Sequence, residues 1–236
     1  TWKDAKPWPE PHDIYPYADD GWATWSSRAI ADETIGFLRN HARGESGRTP
    51  FYVNVWFKDV HVPLKPTDEM RKQFSKLDEK PQIHYAMVRY MDKQIGRILD
   101  TLDELGLRDN TLVVFSSDNG PVLNDGYADQ AVDLCGDHRP AGPLRGGKYS
   151  KLDGGTRVPF FLSWPGTVAP GETSALVSHV DFVASFASLA GVPLDSEAGP
   201  DSENVLSALL GQSTEGRAEL VTEGVRAKTV FRRGDW

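Results

Sequence analysis

The sequence feature that most constrains the fold is a helical repeat that leads directly into a buried strand. From Ile83 to Leu105, apolar residues recur every three or four positions, and Gly106 ends the repeat. Leu112–Ser116 is then an apolar, β-branched run of the kind found in strands buried on both faces. A helix followed so soon by a buried strand is typical of a sheet whose strands are covered by helices.

The same order occurs once earlier in the chain. A helical repeat runs from Ser26 to His41, and "FYVNVWF" at positions 51–57 follows as a second buried strand. The face of this helix that we expect to pack inward carries Ile30, Thr34, Phe37 and Leu38. Helix, strand, helix, strand with short connections implies parallel strands joined by crossover helices. We therefore predict an α/β fold with a mostly parallel sheet flanked by helices.

After a long loop rich in Gly, Asp and Pro, over 120–155, regular patterns return. "VPFFLSWPG" predicts a short strand that ends in a Pro-Gly turn. "HVDFVASFASLAGV" predicts a helix with Phe182, Phe186 and Leu189 on its inner face. "AELVTEG" and "TVFRRGDW" predict two further strands towards the C-terminus.

Composition narrows the classes of partner. The 236-residue chain has a net charge of −8, so its composition does not suggest a nucleic-acid-binding surface, although local basic clusters can still bind a small anion. No apolar stretch approaches the roughly 18 residues of a membrane span. The single cysteine, Cys135, excludes an internal disulfide framework. We expect a small-molecule partner, and neither nucleic acid nor a membrane.

Polar side chains mark the ends of the first two predicted strands. Asp118 and Asn119 follow the strand at 112–116, where open α/β sheets place ligands and metals. His61 follows the strand at 51–57. Because parallel strands end at the same edge of a sheet, we expect His61 and the Asp118–Asn119 pair at one rim, although they are 57 positions apart. Taken alone, each has a structural explanation, since Asp and Asn form turns and a single histidine is commonly a loop residue.

Three separated segments carry a more specific pattern: "WFKDVHVPL", "VVFSSDNGP" and "GPLRGGKYSKLDGGTRVPFFLSWPG". Together they resemble the sulfatase family of the alkaline-phosphatase-like superfamily. The third segment is nearly a signature, because it combines Gly-Gly-Lys, Gly-Gly-x-Arg-Val-Pro and Trp-Pro-Gly at this spacing. The similarity runs from about Arg28 to the terminal "RRGDW". It implies an alkaline-phosphatase/sulfatase-like fold and the hydrolysis of sulfate esters.

The resemblance implies roles for individual residues. Asp118 and Asn119 match the family's second pair of metal ligands, which hold a Ca²⁺ ion beside the sulfate group. His61 matches a histidine that binds the sulfate and helps protonate the leaving oxygen, and Lys148 matches a lysine that contacts a sulfate oxygen. Arg157 matches the arginine of the Gly-Gly-x-Arg motif, which we expect to support that loop.

The chemistry of these residue types agrees with those roles. Ca²⁺, which we expect rather than Mg²⁺, takes about six to eight oxygen ligands, so carboxylate and amide oxygens suit it. A cation, a lysine and an imidazolium stabilise the charge that develops when a sulfate ester is cleaved, and histidine can carry the proton at neutral pH. His138 and Arg139, in "GDHRPAGPLRGG", are weaker candidates that either face the substrate pocket or are plain loop residues.

One part of the family pattern is absent from this sequence. Sulfatases carry a Cys/Ser-x-Pro-x-Arg motif whose first residue becomes formylglycine, the nucleophile, and no such motif occurs here. We do not assign Asp19-Asp20 to the family's first metal pair, because no buried strand precedes it. We therefore expect the N-terminal part of the fold, with its formylglycine, to be missing. Residues 1–175 are then a partial catalytic α/β domain, and 176–236 lead into a truncated C-terminal subdomain.

These observations leave three hypotheses for the function. The first is part of a sulfatase that cleaves an aryl or carbohydrate sulfate and is inactive by itself. The second is a non-catalytic module that binds a sulfated glycan or a partner, and the third is a phosphonate or phosphodiester hydrolase of the same superfamily. By family analogy we expect a periplasmic, secreted or lysosomal location. A sheet edge exposed by missing strands also predicts association with the missing N-terminal half or self-association.

Overall fold

The computed structural model describes residues 22–44, 49–122, 138–195, 197–224 and 228–234, with side chains described from Thr24 onward. Cys135 and the Asp19-Asp20 pair lie outside these residues. The helices are α1 (Trp22–Arg43), α2 (Asp68–Lys72), α3 (Glu79–Glu104), α4 (Asp153–Thr156), α5 (Phe182–Leu189) and α6 (Leu206–Leu209). The strands are β1 (Val113–Ser116), β2 (Phe160–Ser163), β3 (Glu219–Gly224) and β4 (Lys228–Arg233).

The described residues belong to two compact units. The first unit contains 22–107 and 138–140, and the second contains 108–122 and 141–234. Within the described ranges, no helix is both long enough and apolar enough to cross a membrane.

The first unit is built on the packing of α1 against α3, the two helices predicted from their apolar repeats. Ala31 and Leu38 of α1 are buried, as are Met87 and Leu102 of α3. The expectation that Phe37 faces inward is wrong, because its side chain is 44% exposed. The small side chains on α1 face the core and let the helices approach, so the buried face is centred on them and Phe37 lies at its edge.

The segment 51–57 is extended but is not assigned as a strand in the part of the chain that the structure describes. Phe51, Val53 and Val55 are half-buried, while Tyr52 and Trp56 between them are 73% and 79% exposed. The prediction of a strand buried on both faces is therefore wrong for this segment. Its apolar composition favours extended backbone, but a strand also needs a hydrogen-bonded neighbour.

In the second unit, β1 and β2 form a two-stranded antiparallel sheet. The register pairs Val113 with Ser163 and Ser116 with Phe160. Both strands were predicted, but the parallel arrangement expected for β1 is wrong among the described strands, which pair only antiparallel. A parallel neighbour requires a long crossover connection, usually helical, whereas the described part of the β1–β2 connection contains only the four-residue helix α4.

The core of the second unit lies between β2, α5 and α6. Val205, Ala208 and Leu209 are buried there, and Phe182 and Phe186 of α5 pack against them. The helix and its two inward phenylalanines are as predicted. Leu189 differs, since it is 37% exposed. It lies in the last turn of an eight-residue helix, beyond the surface that α6 covers.

A buried carboxylate fixes the chain that leads to the hairpin of β3 and β4. Asp181 is fully buried and accepts hydrogen bonds from the backbone amides of Ser178 (2.9 Å) and Glu203 (3.0 Å). Arg217, two residues before β3, forms a salt bridge with Asp181 and another with Glu203 at 3.0 Å. Because a buried charge is costly without partners, these contacts hold the start of β3 in place. The hairpin itself, with Val221 opposite Phe231, confirms the two predicted C-terminal strands.

Candidate active site

An open cleft in the second unit contains both predicted metal ligands. Its volume is about 470 Å³, and its lining includes Asp118, Asn119, Tyr149, Thr156 and Glu223. These residues come from three segments that are far apart in sequence: the turn after β1, the turn and short helix around 148–156, and the end of β3. The cleft thus depends on how these segments pack.

The turn after β1 presents oxygen atoms to the cleft. Asp118 is exposed and Asn119 is half-buried. The Nδ2 amide of Asn119 donates to the carbonyl of Gly120 at 2.9 Å, which leaves its Oδ1 oxygen as the atom that can face a cation. The Ser117 hydroxyl donates to the backbone carbonyl of Asn119 at 3.1 Å and tightens the turn. Both side chains therefore suit a hard cation in ligand type.

The same ligands are few in number. Among the described residues, no group of three or more His, Cys, Asp or Glu side chains is placed to hold a metal ion. A carboxylate and an amide oxygen fill only part of a calcium coordination shell, and water or other ligands must supply the rest. The residues fit Ca²⁺ in kind and predict weak binding.

Two backbone hydrogen bonds join the Asp118–Asn119 turn to the segment that carries Lys148. The amide of Gly120 donates to the carbonyl of Gly155 at 2.9 Å, and the amide of Lys148 donates to the carbonyl of Pro121 at 2.7 Å. A Cβ atom on Gly120 would lie 1.9 Å from the carbonyl oxygen of Gly154. Only glycine allows the two backbones to approach this closely, which gives a physical reason for the glycines of the motif.

Lys148 is half-buried, and its ammonium lies over the neighbouring tyrosine. The Nζ atom is 5.3 Å from the centroid of the Tyr149 ring, within the range of a cation–π contact. Tyr149 has a φ of 70°, the left-handed region that tyrosine rarely occupies. The lysine that the resemblance assigns to sulfate is thus held beside an aromatic ring that lines the cleft.

The end of β3 supplies the third wall. The Thr222 hydroxyl donates to the carbonyl of Lys151 at 3.4 Å. A Cβ on Gly224 would lie 2.9 Å from both the Lys151 amide nitrogen and the Tyr149 carbonyl oxygen, so the strand rests directly on that turn. Sequence reasoning missed Tyr149 and Glu223. Tyr149 adjoins a recognised motif, whereas no spacing in the sequence connects Glu223 with the cleft.

Arg157 lies just after α4, at the edge of this region. Its amide donates to the carbonyl of Asp153 at 2.8 Å, and its guanidinium is 3.9 Å from the Asp153 carboxylate. Both side chains are mostly exposed, so the ion pair contributes little to stability. These contacts lie within the loop that Arg157 is expected to support, and that role stays a prediction.

His61 belongs to the first unit and is exposed. Its Nδ1–H donates to the carbonyl of Val62 at 2.8 Å, which leaves Nε2 to bind or release a proton. Two residues earlier, Asp59 is buried and accepts a hydrogen bond from the Ser27 hydroxyl of α1. Burial raises the pKa of Asp59 despite the opposing effects of this hydrogen bond and of Lys58. The loop that carries His61 is thereby attached to α1.

His138 and Arg139 are also exposed residues of the first unit. The imidazole of His138 lies 5.9 Å from that of His84 and 5.5 Å from the Tyr85 ring, centroid to centroid. Burial lowers the pKa of His84, and the charge of His138 lowers it further. The structure brings His138 next to an aromatic cluster on α3. Whether this cluster contacts substrate stays a prediction, as does a rim shared by His61 and Asp118.

Solved structures define the class of fold. The chain is similar to a structure from work on the metabolism of multiple glycosaminoglycans by Bacteroides thetaiotaomicron, with a TM-score of 0.78 and 36% identity over 89% of this chain and 42% of that chain. It is also similar to a sulfatase from Pseudoalteromonas sp., with a TM-score of 0.73 and 25% identity over 90% of this chain and 40% of the other. The chain therefore has the α/β fold of the alkaline-phosphatase-like hydrolases, as predicted.

Sequence comparisons identify the family. Residues 4–192 match the family model for Sulfatase. The chain is 38% identical to an N-acetylgalactosamine-6-O-sulfatase of Bacteroides thetaiotaomicron over 92% of this chain and 42% of that protein. It is 34% identical to arylsulfatase G of Mus musculus over 82% of this chain and 36% of that protein. The chain belongs to the sulfatase family, whose members are sulfuric ester hydrolases, and spans about two fifths of the length of these relatives.

Proposed function

We propose that this chain is part of a sulfuric ester hydrolase that acts on a sulfated carbohydrate. The observation that carries the proposal is the pairing of the turn with Asp118 and Asn119 and the turn with Lys148 through backbone hydrogen bonds. This pairing supports a site for an anionic group between oxygen ligands for a cation and an ammonium. The N-acetylgalactosamine-6-O-sulfatase relative supports a sulfated sugar over an aryl sulfate.

Asp118 and Asn119 are the residues that would hold Ca²⁺. When bound, the ion supplies positive charge beside the sulfate oxygens, where negative charge is concentrated during cleavage. Asp118 contributes a carboxylate oxygen and Asn119 its Oδ1 oxygen, whose orientation follows from the Nδ2 hydrogen bond to Gly120. Ca²⁺ suits this incomplete and flexible set better than Mg²⁺, which demands octahedral geometry.

Lys148 and His61 have complementary roles in this proposal. Lys148 donates hydrogen bonds to a sulfate oxygen and stabilises the charge on the sulfuryl group. His61 carries a proton on Nε2 and donates it to the departing oxygen, because Nδ1 is already engaged with Val62. The role of His61 rests on the resemblance alone, so it is tested separately by the His61→Ala variant.

The nucleophile is the part that this sequence does not encode. Formylglycine, when present, supplies the oxygen that attacks sulfur, and the motif that forms it is absent from these 236 residues. We expect this polypeptide by itself to show no sulfatase turnover. Hydrolysis of 4-nitrophenyl sulfate by pure material, lost in the His61→Ala variant, would show that this expectation is wrong.

Calcium titration tests the metal site directly. We expect weak binding to the calcium-free chain, with a dissociation constant of about 10⁻⁴ to 10⁻³ M, as is typical of extracellular calcium modules. The Asp118→Asn variant should lose this binding. Asp195→Asn, which removes an exposed carboxylate of the same unit, is the matched control and should bind like the unchanged chain. Equal binding by all three proteins would contradict the assignment of Asp118 as a ligand.

We also propose that the protein works outside the cytoplasm, in the periplasm, in the extracellular space or in a lysosome. A site with weak calcium affinity is filled only where free Ca²⁺ is plentiful, which supports such a compartment. Fractionation of the source cells with an antibody against the chain tests this. Recovery only with the cytosolic fraction would contradict it.

A further inference from the structure

Two side chains in the cleft, Tyr149 and Glu223, have no role in the function proposed above. Both line the same cleft as Asp118 and Asn119. We propose that they bind the sugar portion of the sulfate ester and determine which sugars are accepted. Tyr149 packs its ring against the pyranose, and Glu223 accepts hydrogen bonds from its hydroxyl groups. This inference rests on the proposed function, because it assumes that the cleft takes a sulfate ester.

The backbone of Tyr149 is the first argument. Its φ of 70° is a conformation that costs a residue other than glycine about 1–3 kcal/mol. Glycine would occupy this position without strain. A tyrosine here keeps a large ring in the cleft at the expense of stability. Strain of this kind concentrates at binding and active sites, where the surrounding structure maintains it.

The position of Lys148 is the second argument. Its ammonium lies 5.3 Å from the centre of the Tyr149 ring. A sulfate group that contacts this ammonium therefore places the rest of the ester beside the same ring. The C–H groups of a pyranose form an apolar surface, and such a surface gains dispersion and burial energy on an aromatic ring.

Glu223 is the third argument because of its charge. It stands on β3 opposite Thr229, is exposed, and as a carboxylate can only accept hydrogen bonds. A sulfate or a uronic acid beside it is repelled, whereas neutral hydroxyl groups are bound. Thr222 and Gly224 on either side contact the 149–151 turn, so the strand holds Glu223 at a fixed place in the cleft wall. The inferred substrate class is a neutral sugar, or neutral amino sugar, that carries one sulfate.

The experiment compares two ligands by calorimetric titration of the full chain in saturating Ca²⁺. N-acetylgalactosamine 6-sulfate reports the sulfate and sugar contacts together, and inorganic sulfate reports the anion site alone. We expect Tyr149→Gly to weaken the sugar sulfate about tenfold and to change inorganic sulfate affinity by less than about twofold. Glycine adopts a φ of 70° without strain, so this variant keeps the turn. Tyr149→Phe keeps the ring and should retain the affinity for the sugar sulfate.

Glu223→Ala gives a second, independent readout. It should weaken the sugar sulfate about threefold to tenfold, without weakening inorganic sulfate, because a repulsive charge is removed at the same time. Glu215→Ala, at an exposed position outside the cleft lining, is the matched control and should change neither ligand.

The possible outcomes separate this inference from the function on which it rests. A selective loss of sugar sulfate affinity in Tyr149→Gly and Glu223→Ala supports the inference. Unchanged affinities in both variants, or equal losses for both ligands, overturn it while the proposed sulfate site stands. If the unchanged chain binds neither ligand, the proposed function itself is wrong, and the inference is overturned with it.

Discussion

Asp59 shows how a single buried carboxyl couples a candidate catalytic loop to the helical core. Its side chain is 7% exposed, and Oδ2 accepts the Ser27 hydroxyl while Oδ1 has no hydrogen-bond partner among the described residues. Burial raises its pKa above the ordinary value of 3.8. A charged Asp59 is therefore unfavourable in the folded chain, and the protonated form fits better.

This places a pH dependence on stability. Because the folded pKa lies above the unfolded one, the contribution of Asp59 is most favourable at pH values below 3.8 and becomes unfavourable as pH rises through that value towards the folded pKa. We expect Asp59→Asn to raise the free energy of unfolding at pH 7 by about 1 kcal/mol, and to have a smaller effect near pH 4.

Thermal unfolding at the two pH values checks the prediction for Asp59. Asp195→Asn is the control, since that carboxylate is exposed and should show no comparable difference between the two pH values. An Asp59→Asn variant that is no more stable than the unchanged chain at pH 7 contradicts the argument from burial.

The pair of His84 and His138 gives a second prediction at this scale. Burial and then the charge of His138 lower the pKa of His84 below its ordinary value of 6.5. The neutral imidazole is thus favoured by folding, and this contribution to stability is lost as pH falls through 6.5. In His138→Ala, the pKa of His84 measured by NMR titration should move upward. A downward or absent shift would mean that the two imidazoles do not interact.

At the scale of elements, the approach of the 118–121 turn to the 153–155 segment depends on glycine. A Cβ on Gly154 would lie 2.1 Å from the Gly146 carbonyl oxygen, a distance that forces the backbone to move. We expect Gly154→Ala to destabilise the chain by about 3 kcal/mol or more, as other changes that force strain into a packed region do. The same variant should lose calcium binding, since the turn that carries Asp118 is displaced.

A helical glycine provides the control for that substitution. Gly96 lies in α3, and a Cβ there meets no atom within 4 Å. Gly96→Ala should stabilise the chain by about 0.5–1 kcal/mol through helix propensity. Chemical denaturation of both variants checks the pair of predictions. Similar effects of the two alanines would show that the close approach at Gly154 does not matter.

Local patterns were sufficient to predict which segments become regular elements. The apolar repeats of α1 and α3, the β-branched run of β1 and the C-terminal hairpin all appear as expected, because periodicity reports how one face of an element is buried. The failures concern pairing. Segment 51–57 has strand composition but no strand assignment, and β1 pairs with the antiparallel β2, because partners are chosen by tertiary contacts that periodicity does not record.

At the scale of the whole molecule, the candidate site divides in the same way. The glycine and lysine motif predicted that residues near 148 contact the Asp118–Asn119 turn, because glycines at such spacing permit close backbone approach. Tyr149 was missed because its importance lies in a φ of 70°, which no residue type announces. Glu223 was missed because it reaches the cleft through the packing of β3, more than a hundred positions from Asp118.

Exposed apolar surface gives the last prediction, which concerns association. Trp56 is 79% exposed in the extended segment 51–57, and in the second unit Phe161 of β2 is 66% exposed. Large apolar side chains on extended backbone are typical of surfaces that pair with another chain. We expect the purified chain to show an average mass in light scattering that rises with concentration.

Substitution of Trp56 tests whether the first of these surfaces is responsible. Trp56→Glu adds a negative charge and removes the exposed ring, so the rise in mass should be strongly reduced. Gln73→Glu adds the same charge at an exposed polar position of the same unit and should leave the association unchanged. If both variants associate less, net charge is the cause; if neither does, segment 51–57 is not the contact. A mass that stays at 26.1 kDa at every concentration contradicts the prediction of self-association itself.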